Sequence, residues 1–191
     1  MVDDQRQAID RFEAIYQAHY AAVAAYSRRR AHDPVDAQDA VAETFTIAWR
    51  RRMELPEGEG ALPWLYGVAR RVLANQRRGN RRRDDLSVRL RGPEPEPPGV
   101  EAELISADER RTVLAALGRL RDNDQEILRL AVWEELPHRE IAGIVGCSES
   151  SVAVRLHRAR TRLGREIGKE ERRVGQEGHD GTRRRAEGQE L

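Results

Sequence analysis

Three groups of residues have types and spacings that could do chemistry. In the C-terminal third, Arg155, Arg158 and Arg162 recur at intervals of three and four, flanked by Arg160 and Arg165. Such a stripe suits phosphate oxygens, because each planar guanidinium offers a fork of donors. Ser150, Ser151, Ala153 and Val154 precede it, with His157 in the same stretch. These side chains are short enough to let a helix backbone sit deep in a major groove, where hydroxyls hydrogen-bond base edges and apolar groups meet a thymine methyl. The second group is the track from Arg70 to Arg83, with seven arginines and no acid. It contains Arg70, Arg71, Asn75, Arg77 and Arg78 and starts beside Trp64 and Tyr66. Aromatics next to a cationic surface can stack unpaired bases, which is chemistry for single-stranded nucleic acid. The third group is acidic: Asp36, Asp39 and Glu43 share one helical face in a stretch, Asp33 to Glu43, with four acids and no Lys or Arg. An N-terminal acid favours the helix macrodipole, which explains Asp36, Asp39 less well and Glu43 hardly at all. The remainder suits docking to a basic protein surface.

Each group needs a helix to carry it. From Leu136 to Leu163 two helical patterns flank a three-residue turn. Ile141, Ala142 and Val145 mark the inner face of the first, and Val152, Leu156, Ala159 and Leu163 that of the second. Gly146 can take positive φ just after the first helix, and Ser148 is an N-cap for the next. This is the pattern of a helix-turn-helix whose second helix projects for reading. The acidic stripe falls on a helix from Pro34 to about Arg51, capped by Asp33, with Val41, Phe45, Ala48 and Trp49 inward. Before it, Asp4 to Arg29 reads as a helix with a core stripe of Ile9, Phe12, Tyr16, Tyr20 and Val23. The basic track falls on a helix from about Pro63 to Arg78, ending at Gly79, with Trp64 either in the core or edge-exposed for stacking. Glu54 to Ala61 is a loop by its Pro and Gly content.

Further along, Ala107 to Leu120 should form a helix with Val113, Leu114 and Leu117 inward. Asp122 or Asn123 should cap another that carries Ile127, Leu128, Ala131 and Val132. The expectation is an all-α chain of two small helical domains joined by a flexible linker, the C-terminal one a helix-turn-helix domain. The N-terminal domain spans residues 1–83, a Pro-rich linker containing GPEPEPPG spans 84–107, the second domain spans 108–168, and 169–191 form a disordered tail.

Composition sets the bounds. A chain of 191 residues suits two domains of roughly 80 residues each. The net charge of +1 hides a dipolar distribution, acidic in one helix and basic in two others. Lys169 is the only lysine, so arginine use partly reflects codon choice. Cys147 is the single cysteine, which excludes an intrachain disulfide and a Cys-rich zinc site and suits a small packing residue in the turn. His19, His32, His138, His157 and His179 lack metal-ligand spacing. Paired carboxylates and a phosphate-cradling glycine loop are absent from the sequence, so an enzyme is not expected. Neither is a cofactor or a membrane span, and the location expected is cytoplasmic.

Taken together the motifs resemble the short, two-domain extracytoplasmic-function (ECF) group of sigma-70-type RNA polymerase initiation factors, from about Arg11 to Arg165. DAQDAVAETFTIAW resembles the family's region 2.2 helix, which binds the clamp helices of the polymerase largest subunit; the resemblance assigns Asp36, Asp39, Glu43 and Trp49 to core polymerase. PWLYGVARRVLANQRR resembles regions 2.3 and 2.4, which open and read the −10 element; it assigns Trp64, Arg70, Arg71, Asn75, Arg77 and Arg78 to that DNA. LRDNDQEILRLAVWEELPHREIAGIVGCSESSVAVRLHRARTRL resembles region 4, which reads the −35 element and meets the polymerase flap. Ser150, Ser151, Ala153, Val154, Arg155, His157 and Arg158 are then the −35 residues. Glu54 to Ala61 corresponds by position to the family's specificity loop, where an extruded base is received. The implied partners are core RNA polymerase, double-stranded promoter DNA and single-stranded −10 DNA, with an anti-sigma factor as a candidate. Arg71 stands where relatives commonly have Asn, Ala42 where Gln is frequent, Arg121 where Pro is usual, and Ala153 and Val154 where Lys and Ser are frequent. Promoter sequence therefore does not transfer. The rival expectation is a helix-turn-helix regulator acting without polymerase docking, which has no use for the acidic stripe or the WLYGVARR helix.

Overall fold

The computed structural model describes residues 2–84 and 106–187, and every regular element among them is helical. The helices are α1 (Val2–Arg28), α2 (Pro34–Arg50), α3 (Ala61–Asp84), α4 (Ala107–Gly118), α5 (Asp122–Val132), α6 (His138–Val145) and α7 (Glu149–Glu187). Two short 3₁₀ turns, Arg52–Glu54 and Gly58–Gly60, join α2 to α3. The chain forms two compact units, one built on α1–α3 and one on α4, α5 and α7. The linker expected over 84–107 lies almost entirely outside the described residues.

In the first unit α1 packs on α2 and α3, and α2 packs on α3. Asp33 is extended and its carboxylate accepts from the Asp36 backbone N–H at 2.7 Å, with Pro34 in the first turn, so α2 starts as its sequence dictates. The core is Val23, Tyr26, Leu65, Val68 and Leu73, all essentially without exposed surface, and Tyr26 stacks on Tyr66 with ring centroids 4.7 Å apart. Each such side chain contributes about 1.5–3 kcal/mol by leaving water. The face of α1 that is buried differs from the one its aromatic periodicity predicts. Ala8, Ile15, Val23 and Tyr26 point inward, whereas Tyr16 and Tyr20 remain 40% and 46% exposed. Their rings cluster instead with Phe45 at 4.7 and 6.0 Å, covering one another along the α1–α2 edge.

Helix α3 does not stop at Gly79 but continues to Asp84. Gly79 costs about 1 kcal/mol in a helix interior. Tertiary bonds offset it, because Asn80 Nδ2 donates to Asp36 Oδ2 at 2.8 Å and Gln76 Nε2 to the Asp36 carbonyl at 3.3 Å.

In the second unit α4 and α5 both pack on α7. A capping box starts α4: the Glu109 N–H donates to Ser106 Oγ at 3.1 Å while the Ser106 N–H donates to Glu109 Oε2 at 2.9 Å. Neither Asp122 nor Asn123 caps α5. Arg121 is the N-cap and gives no side-chain bond. Gln125 fixes the corner instead, its Nε2 donating to the Leu120 carbonyl at 2.9 Å and the Gly118 carbonyl at 3.3 Å. Val113, expected inward, is exposed, while Ala116, Leu117, Ile127 and Leu130 form the buried side.

Helix α7 runs well past Ile167, where order was expected to end. Glu170 explains the extension. Its carboxylate is almost fully buried and pairs with Arg119 of α4 and, at 2.9 Å, with Arg173 one turn on. Lys169 and Glu166 add an i,i+3 pair at 2.6 Å.

Candidate nucleic-acid interface

The turn between α6 and α7 is built as its sequence requires. Gly146 has φ +75°, which only glycine adopts without strain, and its N–H donates to the Ala142 carbonyl at 2.9 Å. Ser148 then caps α7, Oγ accepting from the Ser151 N–H at 3.3 Å. With Val152, Leu156 and Ala159 buried, helical geometry turns the intervening residues to solvent. Ser150, Ala153, Val154, Arg155, His157 and Arg158 are exposed and Ser151 is half-buried. The Ser150 and Ser151 hydroxyls lie 3.1 and 2.8 Å from Ser148 Oγ, which leaves each with capacity to bond a further partner.

Arg162, the third member of the basic stripe, is used internally. Its Nη1 donates to Asp124 Oδ2 of α5 at 2.5 Å, and that carboxylate is mostly buried. The exposed candidate residues Ser150 to Arg158 thus precede Arg162, which holds the helix to its support.

The acidic stripe of α2 divides in the same way. Asp36 is half-buried and bonded to Asn80, so it joins α2 to α3. Asp39 and Glu43 are exposed and, among the described residues, have no hydrogen-bond or ion-pair partner. Trp49, expected inward, is 41% exposed; it meets Phe12 edge-on at 5.1 Å and lies under Arg52 at 4.7 Å. Between α1 and α2 runs a groove of about 370 Å³, with Tyr16, Tyr20, Val41 and Phe45 in its walls and Gln38 and Ala42 on its α2 side.

On α3 Trp64 is half-buried, with the Arg51 guanidinium 5.6 Å from its ring centroid. Part of the residue is therefore buried and part accessible. Arg71 and Asn75 are exposed at positions two and three turns onward on the same side, and Arg70 is half-buried beside them. Asn75 Oδ1 accepts from Arg78, whereas Arg77 is half-buried and engaged elsewhere. The side chains of Arg81, Arg82 and Arg83 lie outside the described residues.

Two further residues of the first unit were absent from the sequence-based assignment. Gly67 sits one turn after Trp64 and one before Arg70 and Arg71, and a Cβ there would meet nothing within 4 Å. The position is open, so a side chain there would have room. Arg11 reaches from α1 to the loop between α2 and α3, Nη2 donating to the Arg52 carbonyl at 2.9 Å and Nη1 to Glu57 Oε1 at 3.1 Å. Nothing local in the sequence announces a contact across 41 residues.

Among the described residues there is no cluster of His, Cys, Asp or Glu able to hold a metal ion, and no helix long and apolar enough to cross a membrane. Burial lowers the pKa of His19.

Comparison with known proteins matches residues 15–83 to Sigma-70 region 2 and residues 110–163 to Sigma-70, region 4. The chain is 30% identical over 151 residues to the ECF RNA polymerase sigma factor SigL of Mycobacterium tuberculosis, covering 76% of this chain and 82% of that one. It is 29% identical to the RNA polymerase sigma factor YlaC of Bacillus subtilis, covering 86% and 98%. It is also 28% identical to the probable RNA polymerase sigma factor RfaY of Xanthomonas campestris, covering 71% of this chain but spanning only 35% of that protein. Its fold is similar to that of the sigma factor RpoE, solved with the anti-sigma factor NepR from Bartonella quintana, with a TM-score of 0.65, 23% identity, and 82% and 96% coverage. CnrH, solved in complex with the cytosolic domain of CnrY, is similar at a TM-score of 0.59 and 22% identity, with 83% and 88% coverage.

Proposed function

The chain belongs to the ECF group of the sigma-70 family, and from that membership we propose how its surfaces divide the work of starting transcription. Members of this family are initiation factors; the polymerase, not the factor, makes the RNA. The first unit docks on core polymerase through Asp39 and Glu43, whose charges face solvent unpaired and suit the basic partner that the sequence calls for. Trp49 and the α1–α2 groove beside them receive apolar side chains of the docked surface. Asp36 contributes by fixing α2 against α3.

The outer face of α7 lies in the −35 major groove, with Ser150, Ser151, Ala153 and Val154 toward base edges and Arg155, His157 and Arg158 toward bases and phosphates. Helix α3 holds the −10 segment as its strands part. Arg70, Arg71, Asn75, Arg77 and Arg78 face the backbone, and Trp64 offers a ring to an unpaired base. The loop from Glu54 to Ala61 receives an extruded base, which costs a few kcal/mol that a shaped pocket offsets only for a suitable base. Residues 84–107 serve as the connection between two separately placed domains. An anti-sigma factor is a natural partner for the same docking faces, as the solved relative RpoE was captured with one.

One observation carries this reading: on a single chain an exposed groove-fitting face on α7 coexists with unpaired acids on α2 and a Trp-bearing basic face on α3. A regulator that reads duplex DNA by itself needs only the first. The test is transcription from a genomic promoter library by purified core polymerase, with and without the chain. New start sites sharing two upstream elements at fixed spacing are expected. Operator-like binding by the free chain, with no new starts on a core that a control sigma factor activates, would replace this reading with the regulator.

A further inference from the structure

Among the described residues, Arg11 makes the long-range polar contacts of the loop that joins α2 to α3. Its Nη2 donates to two successive carbonyls, Arg52 at 2.9 Å and Met53 at 3.4 Å, while Nη1 meets the Glu57 carboxylate at 3.1 Å. The first two acceptors belong to the first 3₁₀ turn and the third stands just before the second, so one side chain spans the gap between the turns. The loop's other polar ties are local: Arg51 pairs with Glu54, and Arg52 donates to the Trp49 carbonyl at 3.2 Å. Leu55, buried, is its apolar anchor. An anchor at one point still lets the residues after it swing. A second point, on the far side and made by a rigid fork, removes that freedom.

The geometry points to Arg11 as the positioning residue of this loop, setting the shape in which it receives a −10 base. The inference rests on the proposed role of Glu54 to Ala61 as the base-receiving loop. Arg11 touches no DNA in this scheme and acts through Arg52, Met53 and Glu57. Lysine reaches one of these acceptors but cannot bridge them, since an ammonium is a point donor on a flexible stem. A loop held in one shape fits the preferred base and misfits the others, whereas a loosened loop can adjust to several bases, so the difference between their affinities shrinks.

The test uses the full chain with core polymerase on promoters that vary one −10 base at a time, well below the unfolding midpoint of each variant. Transcription ratios between preferred and disfavoured bases are read for the wild type, Arg11→Ala, Arg11→Lys and two loop variants, Pro56→Ala and Glu59→Ala. Core affinity and the penalty for a mutated −35 element are measured alongside. Arg11→Ala is expected to shrink the −10 base ratio at least fivefold, with core affinity and the −35 penalty within twofold of wild type, and Arg11→Lys to recover part of the ratio. An equal loss on all −10 sequences would overturn the inference and leave Arg11 a fold-stabilising staple. If the loop variants alter the ratio and neither Arg11 variant does, the positioning role fails and the loop's role stands. If the loop variants leave the ratio unchanged, the base-receiving loop fails and the inference falls with it, whatever Arg11 does.

Discussion

On α7 the candidate groove residues from Ser150 to Arg158 stand clear of the rest of the unit, and the residues that tie the helix down, Arg162 and Glu170, come after them. On α2 and α3 the two kinds of residue are interleaved. Asp36 bonds to Asn80, Asn75 to Arg78, Trp64 lies under Arg51, and Trp49 packs on Phe12, while Asp39, Glu43 and Arg71 between them stay exposed. The difference fits the two proposed targets. A duplex groove exists before the protein arrives, so a rigid face with free side chains can enter it whole. Separating strands offers no finished surface, and side chains already held by neighbours are oriented in advance for what emerges.

Breaking the comparison begins with the acids. Asp39→Lys with Glu43→Lys should weaken core binding by roughly 3 kcal/mol or more, because like charges juxtaposed across an interface cost several kcal/mol. Helicity and melting temperature should hold, and unchanged core affinity would remove the docking role. Asp36→Ala should do the reverse, lowering stability through the lost Asn80 bond while sparing core contacts. On α7, Arg155→Ala should reduce −35 duplex affinity by about 1–3 kcal/mol if it reads a base, or lower the salt slope by about one unit if it meets phosphate. Arg162→Ala should leave sequence preference intact and cost about 1 kcal/mol of stability in denaturant titration, since its Asp124 partner is mostly shielded from water. Equal effects of the two arginines on DNA would erase the boundary at Arg158.

Gly67→Ala sharpens the contrast in opposite directions. It should raise stability by up to about 1 kcal/mol, since the added methyl meets nothing, and yet slow strand opening measured by permanganate reactivity of unpaired thymines. The smallest effect concerns pH. Burial holds the His19 pKa below 6.5. The unfolded chain therefore takes up the proton first as pH falls, so the His19 contribution is intact above about 6.5 and declines beneath it. Hydrogen exchange should show this acid loss in the first unit, and His19→Gln should flatten it.

Much of the architecture was legible because it is local. Asp33, Ser148 and Gly146 announce their caps and turn within three or four residues, and the buried Val152, Leu156 and Ala159 of α7 follow helical periodicity, whereas Val132, read with the apolar set of α5, is exposed. What escaped reading depends on distant partners. Asp36 looks like Asp39 until Asn80 is placed beside it, Arg162 looks like Arg158 until Asp124 is, and the polar stretch after Ile167 looks unstructured until Arg119 covers Glu170. The α1 stripe misled for a related reason: half-covered rings have the same spacing as buried ones, and only α2 decides which they are.

The placement of those α7 anchors bears on how such proteins diversify. Arg162 and Glu170, with Asp124 and Arg119 opposite, grip the helix outside the stretch proposed to meet DNA. Substitutions between Ser150 and Arg158 on the outer face fall at surface positions, where a change usually moves stability by no more than about 0.5 kcal/mol. After gene duplication, copies of this chain can therefore drift to new promoters one residue at a time without passing through an unstable ancestor.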